Sequence, residues 1–110
     1  MLKRTLLVLL LSTAVSAAAQ AADNLAVNLA GIGSKSCGYW LSGQAHKSEG
    51  TVWIFGFWSG LNYVAVASDQ NQSKAKDDAM IAAVERLCRQ EPSRVLAEAA
   101  WSAYIELNKN

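Results

Sequence analysis

A single histidine and two cysteines are too few to supply the ligand set of an ordinary zinc site. One proline and seven glycines exclude a collagen-like or low-complexity chain. Charge of either sign is scarce, with ten basic against nine acidic residues and a formal net of +1. That balance excludes a strongly basic nucleic-acid binder and a polyacidic tail protein. The sequence holds no phosphate-binding glycine loop, no nucleophile elbow and no cluster of metal ligands. Asp77 and Asp78 are adjacent carboxylates, but neighbours on a helix point about 100° apart and do not converge on one substrate. No catalytic residue, no metal and no cofactor is therefore assigned, and the expectation is a protein that is not an enzyme. The length of 110 residues suits one domain.

What is present begins with an export pattern. Lys3 and Arg4 precede an uncharged stretch with Leu6, Leu7, Val8, Leu9, Leu10 and Leu11 at its centre, and small residues follow. Basic start, apolar middle and small-residue end are the order of a secretory signal peptide. Ala19-Gln20-Ala21 fits the small-x-small rule, so cleavage is expected after Ala21, with residues 1–21 as signal peptide. Removing them takes away Lys3 and Arg4 and leaves eight basic and nine acidic residues, a net of −1. All four Trp, three Tyr and two Phe stay behind, which makes the exported chain aromatic-rich and close to neutral.

Cys37 and Cys88 both fall in the exported part. A small even number of cysteines in an oxidising compartment reads as a disulfide. Pairing here would close a loop of about 50 residues, and the chain-entropy estimate for such a loop is on the order of 4 kcal/mol.

The rest reads as an N-terminal arm over residues 22–35 and a helical domain over 36–110. A first helix is expected over about 36–45, ended by Gly43 and a polar connector that contains His46 as a solvated loop histidine. Residues 50–68 carry no charge. Their β-branched and aromatic content suits a strand, but nineteen residues are too many for one, so a helix is expected. Trp53, Phe57, Leu61 and Val64 would form its inner face, and Gly56 and Gly60 a groove for another helix. A third helix is expected over about 74–89, with Met80, Ile81, Val84, Leu87 and Cys88 buried, and a fourth from Pro92 with Val95, Leu96, Ala99, Ala100, Ala103, Tyr104 and Leu107 inside. The fold class is thus all-α, a small four-helix array pinned by a Cys37–Cys88 bridge.

Nine rings in so small a domain are many for one core, and an exposed aromatic patch marks a partner site. Trp53, Phe57, Trp58 and Asn62 are the candidate partner-binding residues, and the partner is expected to be another protein. No nucleic-acid partner is expected. A homodimer and a membrane contact through residues 50–68 stay open, although two glycines, Ser59 and Asn62 make that stretch a poor bilayer span.

Cys37-Gly38-Tyr39-Trp40-Leu41 at the head of one helix, with Val84-x-x-x-Cys88-x-x-x-Pro92 joining the last two, resembles the small exported helical proteins of the HdeA/HdeB kind, periplasmic acid-stress chaperones. Trp53-x-x-Gly56-Phe57-x-Ser59-Gly60-x-Asn62 followed by Cys88-x-x-x-Pro92-x-x-x-Leu96-x-x-Ala99 is similar to Tai-type immunity proteins. The first resemblance implies a periplasmic chaperone loosened by acid. The second implies an inhibitor of an exported enzyme, plugging a cleft with residues 44–50 or 69–73. An accessory part of an envelope secretion or conjugation machine is the remaining expectation.

Overall fold

The computed structural model of the protein describes residues 26–109, and the expected signal peptide and its cleavage point lie outside them. Four α-helices follow a short 3-10 turn at Gly31–Ser34. They are α1 (Cys37–Trp40), α2 (Gln44–Ala67), α3 (Asp77–Gln90) and α4 (Leu96–Leu107). Among the described residues there is no strand, only an isolated antiparallel bridge between Ser36 and Val95. The all-α expectation holds.

The first helix is a single turn, shorter than expected. Ser36 caps it by accepting from the Tyr39 N–H at 3.1 Å. It ends at Trp40, with Leu41 as its C-cap and not at Gly43, which instead opens α2, and the polar run after Gly43 is no connector. Gln44, Ala45, Lys47 and Glu49 are good helix formers, and they build the first turns of α2. These turns are polar because most of their side chains face water. His46 is accordingly a helical residue, hydrogen-bonded through Nδ1 to the Ser42 hydroxyl at 2.8 Å and stacked on Tyr39 at 4.0 Å.

Helix α2 turns a different face inward from the expected one. Gly50, Ile54 and Trp58, spaced at i, i+4 and i+8, are buried. Trp53 and Phe57 sit half-buried at the edge of that face, and Val64 is exposed. Nearly every position from 52 to 58 is apolar, so hydropathy alone does not set the rotation. Gly50 sets it. A Cβ there would lie 2.2 Å from Cδ1 of the fully buried Trp40, so only glycine lets the indole cross the helix at this point. Gly56 and Gly60, by contrast, meet nothing within 4 Å, and the groove expected there is open.

The end of α2 is closed by a Schellman arrangement. Gln70 N–H donates to the Ala65 carbonyl at 2.7 Å, Asp69 N–H donates to Val66 at 3.2 Å, and Asp69 takes the left-handed φ of 54°. Helix α3 starts at Asp77, with Asp77 and Asp78 in its first turn and Arg89 in its last, in accord with the helix dipole. Helix α4 starts at Leu96 and not at Pro92, because residues 93–95 are used elsewhere. Cys37 N–H donates to the Arg94 carbonyl at 2.7 Å and Leu96 N–H to the Lys35 carbonyl at 2.8 Å. This seam ties the entry of α1 to the entry of α4. The Cys37–Cys88 disulfide, with Cα atoms 5.0 Å apart, ties the same turn to α3. Trp40, Ile54, Trp58, Val84, Leu96 and Tyr104 fill the space between.

Candidate functional site

The four candidate residues on α2 have separate tasks. Trp58 is buried, at 1% exposure, and its ring meets Tyr104 edge-on at 5.1 Å. Its Nε1–H finds no acceptor. Asn62 uses both ends of its amide within the fold. Oδ1 accepts from the Ser73 N–H and from the Tyr104 hydroxyl, both at 2.9 Å, while Nδ2 donates to the Ser73 carbonyl at 3.3 Å. Asn62 thereby pins the connector between α2 and α3 onto α4. Trp53 holds the arm. Its Nε1–H donates to the Ala30 carbonyl at 2.8 Å, and its ring lies under Gly33, where a Cβ would come within 2.0 Å of it. Phe57 stacks on Trp53 at 4.9 Å.

Of these four, Phe57 reaches a surface cleft. The cleft has a volume of about 900 Å³. Residues 26–29 line it on one side, Arg94 with Glu98, Trp101 and Ser102 of α4 on the other, and Phe57 of α2 adds to its lining. Arg94 donates to the Ser102 hydroxyl and, at 3.4 Å, to the Glu98 carbonyl, so its guanidinium is held along α4. Trp101 is 48% exposed and lies parallel to Tyr104, ring centroids 6.2 Å apart.

Trp101 and Arg94 were not among the residues singled out from sequence. The signal was there for Trp101. It falls off the stripe made by Leu96, Ala99, Ala100, Ala103 and Tyr104, and a large aromatic off the buried stripe must face solvent or a partner. The arm wall was not legible, because residues 26–30 have no regular structure and little periodicity.

No family model matches this chain, and neither does a curated protein or a solved structure. The reading of the site therefore rests on its own geometry.

The charged groups form a second feature. Lys47 of α2 pairs with Glu85 of α3, Arg86 of α3 pairs with Glu106 of α4, and Arg89 approaches Glu85 at 3.6 Å. The Lys47 ammonium also lies 4.7 Å from the Trp40 ring centroid. Its hydrogen bond to Glu85 holds that carboxyl below the usual carboxylate range. Helix α3 is thus joined by ion pairs to the helices on both sides. Among the described residues no helix is long and apolar enough to cross a membrane.

Proposed function

We propose that this is an exported, periplasmic protein that acts by binding other proteins and not by catalysis. The cleft beside Trp101 carries the reading. It joins an exposed indole, a half-buried phenyl ring and an uncharged stretch of backbone, a composition suited to a polypeptide partner. The disulfide fits an oxidising compartment.

The arrangement of ion pairs favours the acid-stress chaperone version. A carboxyl with a depressed folded pKa contributes stability that is fully present above its unfolded value, near 4.5 for Glu85, and lost as pH falls through the lower folded value. Acid therefore weakens the pair that ties α3 to α2. Each half-exposed pair is worth about 0.5–1 kcal/mol, so acid loosens the array in small steps. Replacing Glu85 by Gln is expected to lower the neutral-pH melting temperature by about 2–8 °C and to shrink the further drop between about pH 6 and pH 3. A variant as acid-sensitive as the parent removes Glu85 from the mechanism.

The functional test is a periplasmic pull-down at about pH 7 and again at about pH 3, with mass spectrometry of what is retained. Many unrelated proteins held only in acid support the chaperone version. One stoichiometric exported enzyme at neutral pH supports the immunity version instead. Recovery of neither at high expression overturns protein binding as the function.

A further inference from the structure

We propose that the cleft between the arm and α4 is a peptide-binding site for an uncharged, extended segment of another polypeptide. The segment's backbone would pair with residues 26–30, and one apolar side chain would rest on Trp101 and Phe57. This rests on the protein-binding reading above and assigns it a place and a ligand class.

Three observations converge on that ligand. The first is the arm itself. Ala30 is extended, with φ −95° and ψ 145°, and residues 26–30 form no helix or turn. Among the described residues the N–H groups of residues 26–30 make no hydrogen bond, and of their carbonyls only that of Ala30 accepts one, from Trp53. A row of unpaired backbone groups along an open cleft is a template for strand addition. The second is the opposite wall. Trp101 is exposed, with its ring parallel to that of Tyr104 at 6.2 Å between centroids, so it offers a large flat apolar surface to a ligand. The cleft volume of about 900 Å³ is enough for several side chains of a bound segment. The third is charge. Residues 26–30 have none, and the opposite wall carries one positive and one negative residue, Arg94 and Glu98. Arg94 is already engaged by Ser102 and by the Glu98 carbonyl. A small anion would meet a committed guanidinium and a nearby carboxylate, whereas a neutral peptide meets a neutral cleft.

The test uses the exported chain and a blocked, dye-labelled hexapeptide, acetyl-Ala-Val-Phe-Ser-Leu-Ala-amide, followed by fluorescence anisotropy at neutral pH. The peptide is expected to bind saturably. Its versions N-methylated at every second residue separate backbone pairing from greasy adhesion. One phase is expected to bind at least ten-fold more weakly, and the other to bind like the parent. Trp101→Ala and Val27→Pro, both at exposed positions, are each expected to weaken binding about ten-fold with unchanged circular dichroism. No saturable binding, or equal binding of both N-methylated phases, overturns the proposal. Binding that appears only after residues 22–25 are removed assigns the cleft to the chain's own N-terminus and also overturns it. So does a chain-concentration dependence in sedimentation that Val27→Pro abolishes, since the occupant is then a second copy's arm. If the pull-down still captures proteins through the Trp101→Ala variant, this site falls and the protein-binding function stands.

Discussion

Alanine at position 50 is expected to destabilise the domain by about 2–3 kcal/mol, while alanine at position 56 or 60 of the same helix stabilises it by about 0.5–1 kcal/mol. The helix-forming preference is identical in the three cases, since alanine is favoured over glycine by up to about 1 kcal/mol in a helix interior. The surroundings decide the sign. A Cβ on Gly50 would lie 2.2 Å from Trp40 Cδ1, 2.6 Å from Nε1 and 3.0 Å from Cγ. The indole has no room to retreat. It is fully buried, and its Nε1–H donates to the Lys47 carbonyl at 3.0 Å, one turn back along α2. Either α2 shifts outward, which opens the packing of Ile54 and Trp58, or the indole gives up its hydrogen bond. Gly56 and Gly60 have nothing within 4 Å, so an added methyl there costs nothing in packing. Thermal melts decide it. For a domain of this size 1 kcal/mol corresponds to about 4–8 °C, so Gly50→Ala should fall by roughly 8 °C or more and Gly56→Ala should rise by a few degrees. An unchanged melt for Gly50→Ala would sink the account of what orients α2. A fall for Gly56→Ala would show that the glycine face is covered by another molecule in solution.

The same contrast explains what could be read before the structure was known. Helix content was legible because residues 50–68 are too long for a strand and because α3 and α4 carry stripes with helical spacing, Val84 with Cys88 and Leu96 with Ala99, Ala100 and Ala103. Those positions are buried as expected. The inner face of α2 was not legible, because a run of Val52, Trp53, Ile54, Phe55, Phe57 and Trp58 looks apolar from every side. What selects Ile54 and Trp58 is a long-range contact between Gly50 and Trp40, and no local pattern carries it. The glycines differ in use. Gly33 and Gly50 admit Trp53 and Trp40 at contact, while Gly56 and Gly60 face outward. The candidate site followed the same divide. The aromatic run drew attention to Trp58 and Asn62, which serve the interior and the connector. Phe57 alone of that set opens onto the cleft, and its companions there come from the arm and from residues 94–102, 23 to 45 positions away in the chain.

Breaking the Cys37–Cys88 bond is expected to bring the domain to the edge of unfolding. The bond spans 51 positions, and the chain-entropy estimate for a loop of that length is about 4 kcal/mol. A domain of some 85 residues has a total stability of roughly 4–13 kcal/mol. The loss is therefore a third or more of what holds the fold. Its position sharpens the effect. Cys37 opens α1, a helix of one turn with little stability of its own. The bond to Cys88 and the backbone bonds to Arg94 and Pro92 are what keep that turn against α3 and α4, with Trp40 behind it. Freeing Cys37 thus also loosens the Trp40–Gly50 contact that orients α2. The double variant Cys37→Ala, Cys88→Ala is expected to melt about 15 °C or more below the parent, which urea titration should report as a loss of about 3–4 kcal/mol. Both sulfurs are fully buried, so reductant alone should act slowly on the native protein and fast once urea opens it. A double variant that melts within a few degrees of the parent would show that packing alone holds α1, and the dependence of this fold on an oxidising compartment would go with it.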